Sequence, residues 1–178
     1  MGRLSPEQFA KLKISDKVIP KGLIFIWVPK ELIPLVVKTM SHWGFLYVEN
    51  FVWVKKSVNN KIVAQPYKYF SRSKESLLIF RKFCGASAAG ASNGNKKDWQ
   101  LELRHQRNPD VVFDFVRKKG GPVGGEDKPD FVYHVIETLL PEANYNPDTG
   151  RGQFLELWGK HGVVRKGWTR LRIKDATS

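Results

Sequence analysis

Hydrophobic positions along the chain switch between two periods. In KGLIFIWV (21–28) they run almost unbroken and are rich in β-branched and aromatic residues, which predicts a buried strand. In PKELIPLVVKTMSHW (29–43), Leu32, Val36 and Met40 recur at helical spacing, and Pro34 is tolerable because it lies near the helix start. Gly44 breaks that pattern, and FLYVENFVWVKK (45–56) reads as a long strand. Strand, helix, strand predicts a right-handed crossover between parallel strands.

The remaining segments extend the alternation. SPEQFAKL (5–12) opens as a helix, with Ser5 as cap, Pro6 in the first turn and Gln8 completing a capping box. SLLIFRKF (76–83), PDVVFDFV (109–116), FLELWG (154–159) and GWTRLRI (167–173) predict further strands, and DWQLELRHQ (98–106) a weak edge strand. DKPDFVYHVIETLL (127–140) is the clearest helix: Asp127 is placed to cap it and Pro129 sits in its first turn. Its apolar face is Phe131, Val132, Val135, Ile136, Leu139 and Leu140. Residues 84–98 hold a low-complexity Gly/Ala/Ser/Asn run, a flexible or engineered loop. With no repeats and no interdomain linker, the expectation is one α/β domain over 1–178, its mostly parallel sheet covered by helices on both faces.

Composition makes the chain globular: 42% hydrophobic and 12% aromatic residues in a length of 178. The single cysteine, Cys84, excludes an internal disulfide framework and a cysteine-rich zinc site. No apolar run approaches ~20 residues and the start is not a signal peptide, so no membrane association is expected. Charge changes the picture most. Thirty Lys and Arg face 17 Asp and Glu, a net +13, which points to a polyanionic partner, most often nucleic acid.

Catalytic motifs are missing. GGPVGG (120–125) has neither a Walker Lys-Ser/Thr nor the G-x-G-x-x-G spacing and reads as a plain loop. His42, His105, His134 and His161 show no metal-ligand spacing, Cys84 has no evident histidine partner, and no G-x-S-x-G occurs. The cations are more telling. Lys55, Lys56, Lys61, Lys68, Arg72 and Lys74 run beside Tyr67, Tyr69 and Phe70, combining phosphate anchors with faces on which bases stack. A second group is Arg117, Lys118 and Lys119; a third is Lys160, Arg165, Lys166, Arg170 and Arg172. Loops that follow parallel strands converge on one edge, so these groups predict a basic rim. The alternative is scattered solubilising charge.

WGFLYVENFVWVKKS (43–57), RSKESLLIF (72–80), KPDFVYHVIETL (128–139) and FLELWGKHGVVRKGW (154–168) resemble, in order, successive blocks of the eukaryotic adenine N(6)-methyltransferase family. The resemblance covers about residues 4–172 and implies a permuted Rossmann-like fold that uses S-adenosylmethionine. Active members carry a D-P-P-W motif, absent here; by the resemblance its place falls before Met1, implying a chain shortened at its N-terminus. Active members also follow the cofactor strand with F-G-R-P-H-N and later have G-N-Q. Here the first run is Trp158-Gly159-Lys160-His161-Gly162-Val163, and TRLRIKD follows Trp168. Lysine lacks the planar fork of arginine, and valine has no side-chain hydrogen bond to offer. At least two anchors are lost, each worth about 1–3 kcal/mol if buried.

The resemblance therefore favours the non-catalytic partner subunit of these heterodimers, whose R-x-G-W and Arg-x-Lys-Glu runs match Arg165-Lys166-Gly167-Trp168 and Arg72-Ser73-Lys74-Glu75. It implies that Arg72 lies at the substrate groove between subunits. It also implies no cofactor bound by this chain, S-adenosylmethionine in the active partner, a nuclear location, and DNA rather than RNA as substrate. The chain is similar to the ciliate-type DNA methyltransferase partner, which adds the expectation of further DNA-binding subunits. Two alternatives stand: a fragment of an active enzyme lacking its D-P-P-W segment, and a stand-alone basic nucleic-acid-binding module.

Overall fold

The computed structural model describes residues 5–12, 14–82, 101, 103–104, 108–118, 126–143, 146, 148, 152–157 and 165–171. The chain divides into two compact units, one formed by Arg3–Leu101 and Pro109–Asp127, the other by Glu102–Asn108, Lys128–Ser178 and the first two residues. The predicted loop at 84–98, and the glycine run at 120–125, lie outside the described residues.

The first unit is a four-stranded sheet. Its strands are β1 (Leu23–Val28), β2 (Phe45–Lys56), β3 (Lys74–Lys82) and β4 (Val111–Phe115), in the spatial order β1-β3-β2-β4. Its helices are α1 (Pro6–Lys11) and α2 (Ile33–His42), with a 3₁₀ turn at Lys30–Leu32. Among the described residues the sheet is mostly antiparallel, in place of the expected mostly parallel one. β3 is antiparallel to both β1 and β2, and only β2 with β4 is a parallel pair. The reason lies in residues 57–73, which carry no helical pattern. A parallel connection needs a crossover, usually a helix, whereas a loop that turns back delivers an antiparallel neighbour. β1 and β2 nevertheless run the same way, because the two antiparallel steps through β3 reverse direction twice, and β4 is parallel to β2. The crossover through α2 does link two strands of the same sense, but β3 is inserted between them.

α1 begins with the expected capping box: the Gln8 amide donates to Ser5 Oγ at 3.2 Å and the Ser5 amide to Gln8 Oε1 at 2.8 Å. Gly44 takes a positive φ of 80°, the conformation that lets α2 stop and β2 start within two residues. One core forms where α2 meets the sheet: Val36, Met40 and Trp43 pack with Val28, Phe45, Leu78 and Phe80, and Phe9 of α1 packs against this cluster.

β2 does not keep one face throughout. Tyr47 opposes Phe80, but Glu49 opposes Ile79, so Val48 is an extra residue without a partner. Directly opposed residues share a face. Phe45 and Tyr47 therefore lie on the α2 side with Phe80, whereas Phe51, Trp53 and Lys55 lie on the other side with Leu77 and Glu75. There Trp53 is fully buried, its ring meets Trp27 edge-on at 6.3 Å, and its indole N–H donates to the Asp114 carbonyl at 3.1 Å. Along β4, Val111, Phe113 and Phe115 oppose Val52, Val54 and Lys56 and are exposed. The short β5 (Arg117–Lys118) and β6 (Glu126–Asp127) pair antiparallel.

The second unit contains α3 (Asp130–Leu139), a 3₁₀ turn at Pro141–Ala143, and a parallel pair, β7 (Phe154–Leu157) with β8 (Trp168–Leu171). Asp127 does not cap α3. It is engaged in β6 opposite Arg117, and the helix starts after Pro129 with no side-chain cap. Val132, Ile136 and Leu140 are buried as expected, whereas Phe131 is exposed. Leu101, Leu103 and Arg104, the described part of the predicted edge strand, are not in a strand.

Deleting Val48 would close the bulge into regular alternation and leave Phe51, Trp53 and Lys55 on their present face, opposite the same β3 partners. The deletion is therefore expected to retain a cooperative thermal transition, and Glu49→Ala, one residue away and exposed, to shift stability by only about 0.5 kcal/mol or less. Differential scanning calorimetry of both variants checks this.

Candidate nucleic-acid interface

Because β1, β2 and β4 share a direction, their carboxyl ends lie along one edge of the first unit's sheet, the edge at which β3 begins. That edge collects Lys56 at the end of β2, the segment 57–73, Lys74 at the start of β3, and Arg117 just past β4. Of the first two cationic groups, the described residues that reach this edge are Lys56, the lysines and Arg72 of the 57–73 segment, Lys74 and Arg117. Lys68, Lys74 and Arg117 are exposed, and Lys56 is half-buried with its Nζ 5.8 Å from the Phe115 ring centre. Lys118 lies in β5; Lys119 lies outside the described residues.

Lys55 is a correction. It faces the sheet's second side, is 6% exposed, and its ammonium pairs with Glu75 at 2.6 Å and with Glu126. Burial alone lowers a lysine's pKa, but the two carboxylates outweigh it and the net shift is upward. The group is a structural tie among β2, β3 and β6, and it is not available to a phosphate.

Segment 57–73 is organised by backbone hydrogen bonds. A turn closes between Ser57 and Lys61, whose carbonyl accepts from the Ser57 amide at 2.8 Å, with Asn60 at φ 59°. Beyond it, Gln65 and Arg72 exchange both backbone bonds, at 2.9 and 2.7 Å, and enclose residues 66–71. Arg72 is held in place. Its guanidinium pairs with Glu31 and lies 4.7 Å from the Tyr67 ring centre, while Lys30 Nζ sits 3.5 Å from the same centre. Tyr67 and Glu31 hydrogen-bond, which lowers the pKa of Glu31 and raises that of Tyr67. Lys30 and Glu31 escape the reading by charge groups, yet they directly follow β1, so the rule that strand-following loops build the site would have marked them.

In the second unit, Arg165 also has a structural partner. Its guanidinium donates two bonds to Glu137, Nη2 to Oε2 at 2.7 Å and Nε to Oε1 at 2.5 Å. The Trp168 indole donates to Glu137 Oε1 at 2.7 Å, and the indole stacks on Phe154 at 4.8 Å and meets Tyr133 edge-on at 5.0 Å. Arg170 bonds Glu156, which also accepts from the Tyr133 hydroxyl at 3.0 Å. Gly167 has φ 84°, and a Cβ on Gly152 would meet the Gly167 carbonyl oxygen at 2.4 Å, so the R-x-G-W turn needs glycine on both sides of that contact. Lys166 is exposed at the turn. Lys160, His161, Gly162 and Val163 lie outside the described residues, as does Arg172. Arg104, His134, Glu137, Thr138 and Pro141 line a shallow depression beside α3.

Removing Lys55 leaves Glu75 and Glu126 facing each other, so Lys55→Met should cost about 3–5 kcal/mol in denaturant unfolding. Adding Glu75→Gln and Glu126→Gln should restore most of it. Glu137 is held below its ordinary value of 4.5, first by the Arg165 hydrogen bond, despite partial burial. Its contribution is therefore present above the unfolded value and is lost as pH falls through the lower folded value. Glu137→Gln should flatten the acid limb of the stability profile below about pH 4.5. Tyr133, pushed up to about 12 chiefly by burial, adds an alkaline limb above pH 10 that Tyr133→Phe should remove.

Comparison with known proteins places these features in a family. The MT-A70 family model matches residues 1–171. The chain is 26% identical over 84% of its length to the N(6)-adenosine-methyltransferase MT-A70-like protein of Arabidopsis thaliana. It is 24% identical over 91% of its length to the N(6)-adenosine-methyltransferase non-catalytic subunit METTL14 of Danio rerio. It is also 24% identical over 96% of its length to the N(6)-adenosine-methyltransferase catalytic subunit METTL3 of Homo sapiens. It spans 18%, 32% and 24% of the lengths of these relatives, respectively. With its model matched over nearly the whole length, the chain belongs to the MT-A70 family.

Proposed function

We propose that this chain is a non-catalytic methyltransferase-like subunit, acting as one domain over 1–178, that pairs with an active adenine N(6)-methyltransferase and contributes to its grip on nucleic acid. One observation carries the non-catalytic half. The run Trp158-Gly159-Lys160-His161-Gly162-Val163 stands where active relatives place their cofactor anchors, and its donor set does not fit S-adenosylmethionine. Lysine offers a point charge where a planar fork is needed, and glycine and valine offer no side-chain hydrogen bond. The cofactor then belongs to the active partner. Matches to relatives named as catalytic and as non-catalytic subunits are consistent with a role in a two-subunit enzyme. The proposed location is the nucleus and the proposed substrate DNA in preference to RNA, in a ciliate-type complex with further DNA-binding subunits.

The nucleic-acid half rests on the cationic edge of the first unit, where Lys56, Lys68, Lys74 and Arg117 surround the loop carrying Arg72. Arg72 positions this loop through Glu31 and Tyr67, and the lysines supply phosphate contacts.

Titrating the full-length protein with S-adenosylmethionine in a calorimeter is expected to give no saturable binding at micromolar concentrations. Micromolar binding would overturn the non-catalytic reading in favour of an active enzyme. Replacing Lys68 and Lys74 by glutamine should weaken oligonucleotide binding and reduce the salt slope by about 0.7–0.9 per lysine. An unchanged slope would remove these residues from the interface.

A further inference from the structure

We infer that Tyr69 and Phe70 form a stacking platform for unpaired nucleobases, so that the cationic edge selects single-stranded or extruded nucleotides over intact duplex. The inference rests on the nucleic-acid reading above and deepens it.

Three aromatic side chains lie in the loop enclosed by Gln65 and Arg72, and the structure assigns them different jobs. Tyr67 is engaged on its ring by Lys30 and Arg72 and at its hydroxyl by Glu31. It anchors the loop. Tyr69 and Phe70 are 92% and 82% exposed. Residues 69 and 70 are consecutive in the chain, and each holds its ring almost wholly in water, where a flat partner can reach it. Their base is defined rather than loose, because the paired backbone bonds between Gln65 and Arg72 and the fixed φ of Pro66 limit the conformations of the loop. Ordering the platform on binding therefore costs less entropy than ordering an open loop.

Charge identifies the occupant. Lys68 lies between the anchor and the platform, and Lys61, Lys74 and Arg117 are exposed on the same segment or sheet edge. Rings flanked by lysines suit a ligand that has a flat apolar face and a phosphate at each repeat. A base in a duplex has both faces covered by its neighbours, so a platform of this kind gains from it only when the base is unpaired.

The test uses the full-length protein and fluorescence anisotropy with labelled single-stranded and duplex oligonucleotides, each as DNA and as RNA, across a salt series. Tyr69→Ala with Phe70→Ala is expected to lower single-strand affinity by about fivefold or more. Duplex affinity and the salt slope should stay unchanged, because the rings carry no charge. A single-stranded oligonucleotide carrying 2-aminopurine should be quenched by the parent protein and not by the variant. Equal loss on single strand and duplex, or no loss on either while Lys68→Gln still weakens binding, would overturn the stacking platform and leave the cationic interface standing. No effect from either the ring or the lysine variants would overturn both. Unchanged oligonucleotide binding with loss of the methyltransferase partner on co-purification would make the rings a protein contact and overturn the inference.

Discussion

The unpartnered Val48 sets the arrangement of everything that follows it in the first unit. β2 is its longest strand, and a strictly alternating β2 would have to place all of its large side chains on one side of the sheet. The extra residue divides the strand into two parts. Phe45 contributes to the core beneath α2, while Phe51, Trp53 and Lys55 build a second packed surface on the reverse side. Both faces of β2 are therefore used, and β3 can lie between β1 and β2 with Leu78 and Phe80 packed on one side and Leu77 on the other.

The same arrangement determines which cations can reach a ligand. On the reverse face, Lys55 is drawn between Glu75 and Glu126, and the cost of burying its charge is offset by two carboxylates. Its neighbour Lys56 points to the other side and remains within reach of solvent. Arg72 and Arg165 similarly spend much of their hydrogen-bonding capacity on Glu31 and Glu137. Net charge therefore overstates the electrostatic footprint. What remains for a polyanion is a narrower set of lysines, together with rings that the fold leaves in water.

In the second unit a short motif that carries the sequence resemblance is also a structural turn. R-x-G-W is a similarity marker in the sequence. In the fold, it is a turn in which Gly167 supplies a left-handed backbone, Arg165 clamps α3 through Glu137, and Trp168 fills the space between Phe154 and Tyr133. The turn serves packing through Glu137, Phe154 and Tyr133.

The sequence alone determined the elements: the period-two and helical apolar patterns located every long strand and helix of the described residues, and Ser5 and Gln8 marked a capping box. These signals are local, carried within a few residues by backbone geometry and hydrogen bonding. It also carried the altered chemistry at Lys160, Gly162 and Val163, because side-chain identity alone decides what can donate or accept. The tertiary structure decided the rest. FLYVENFVWVKK reads as one alternating strand, and only its register against β3 reveals the bulge at Val48. The Lys55-Lys56 pair reads as surface charge, and only Glu126, distant in the chain, shows that one of them is buried. Tyr67, Tyr69 and Phe70 read as equivalent aromatics, and only Lys30 and Glu31, brought in by the end of β1, separate the anchor from the exposed rings. Each of these depends on contacts between distant segments, where pairing and burial override local pattern.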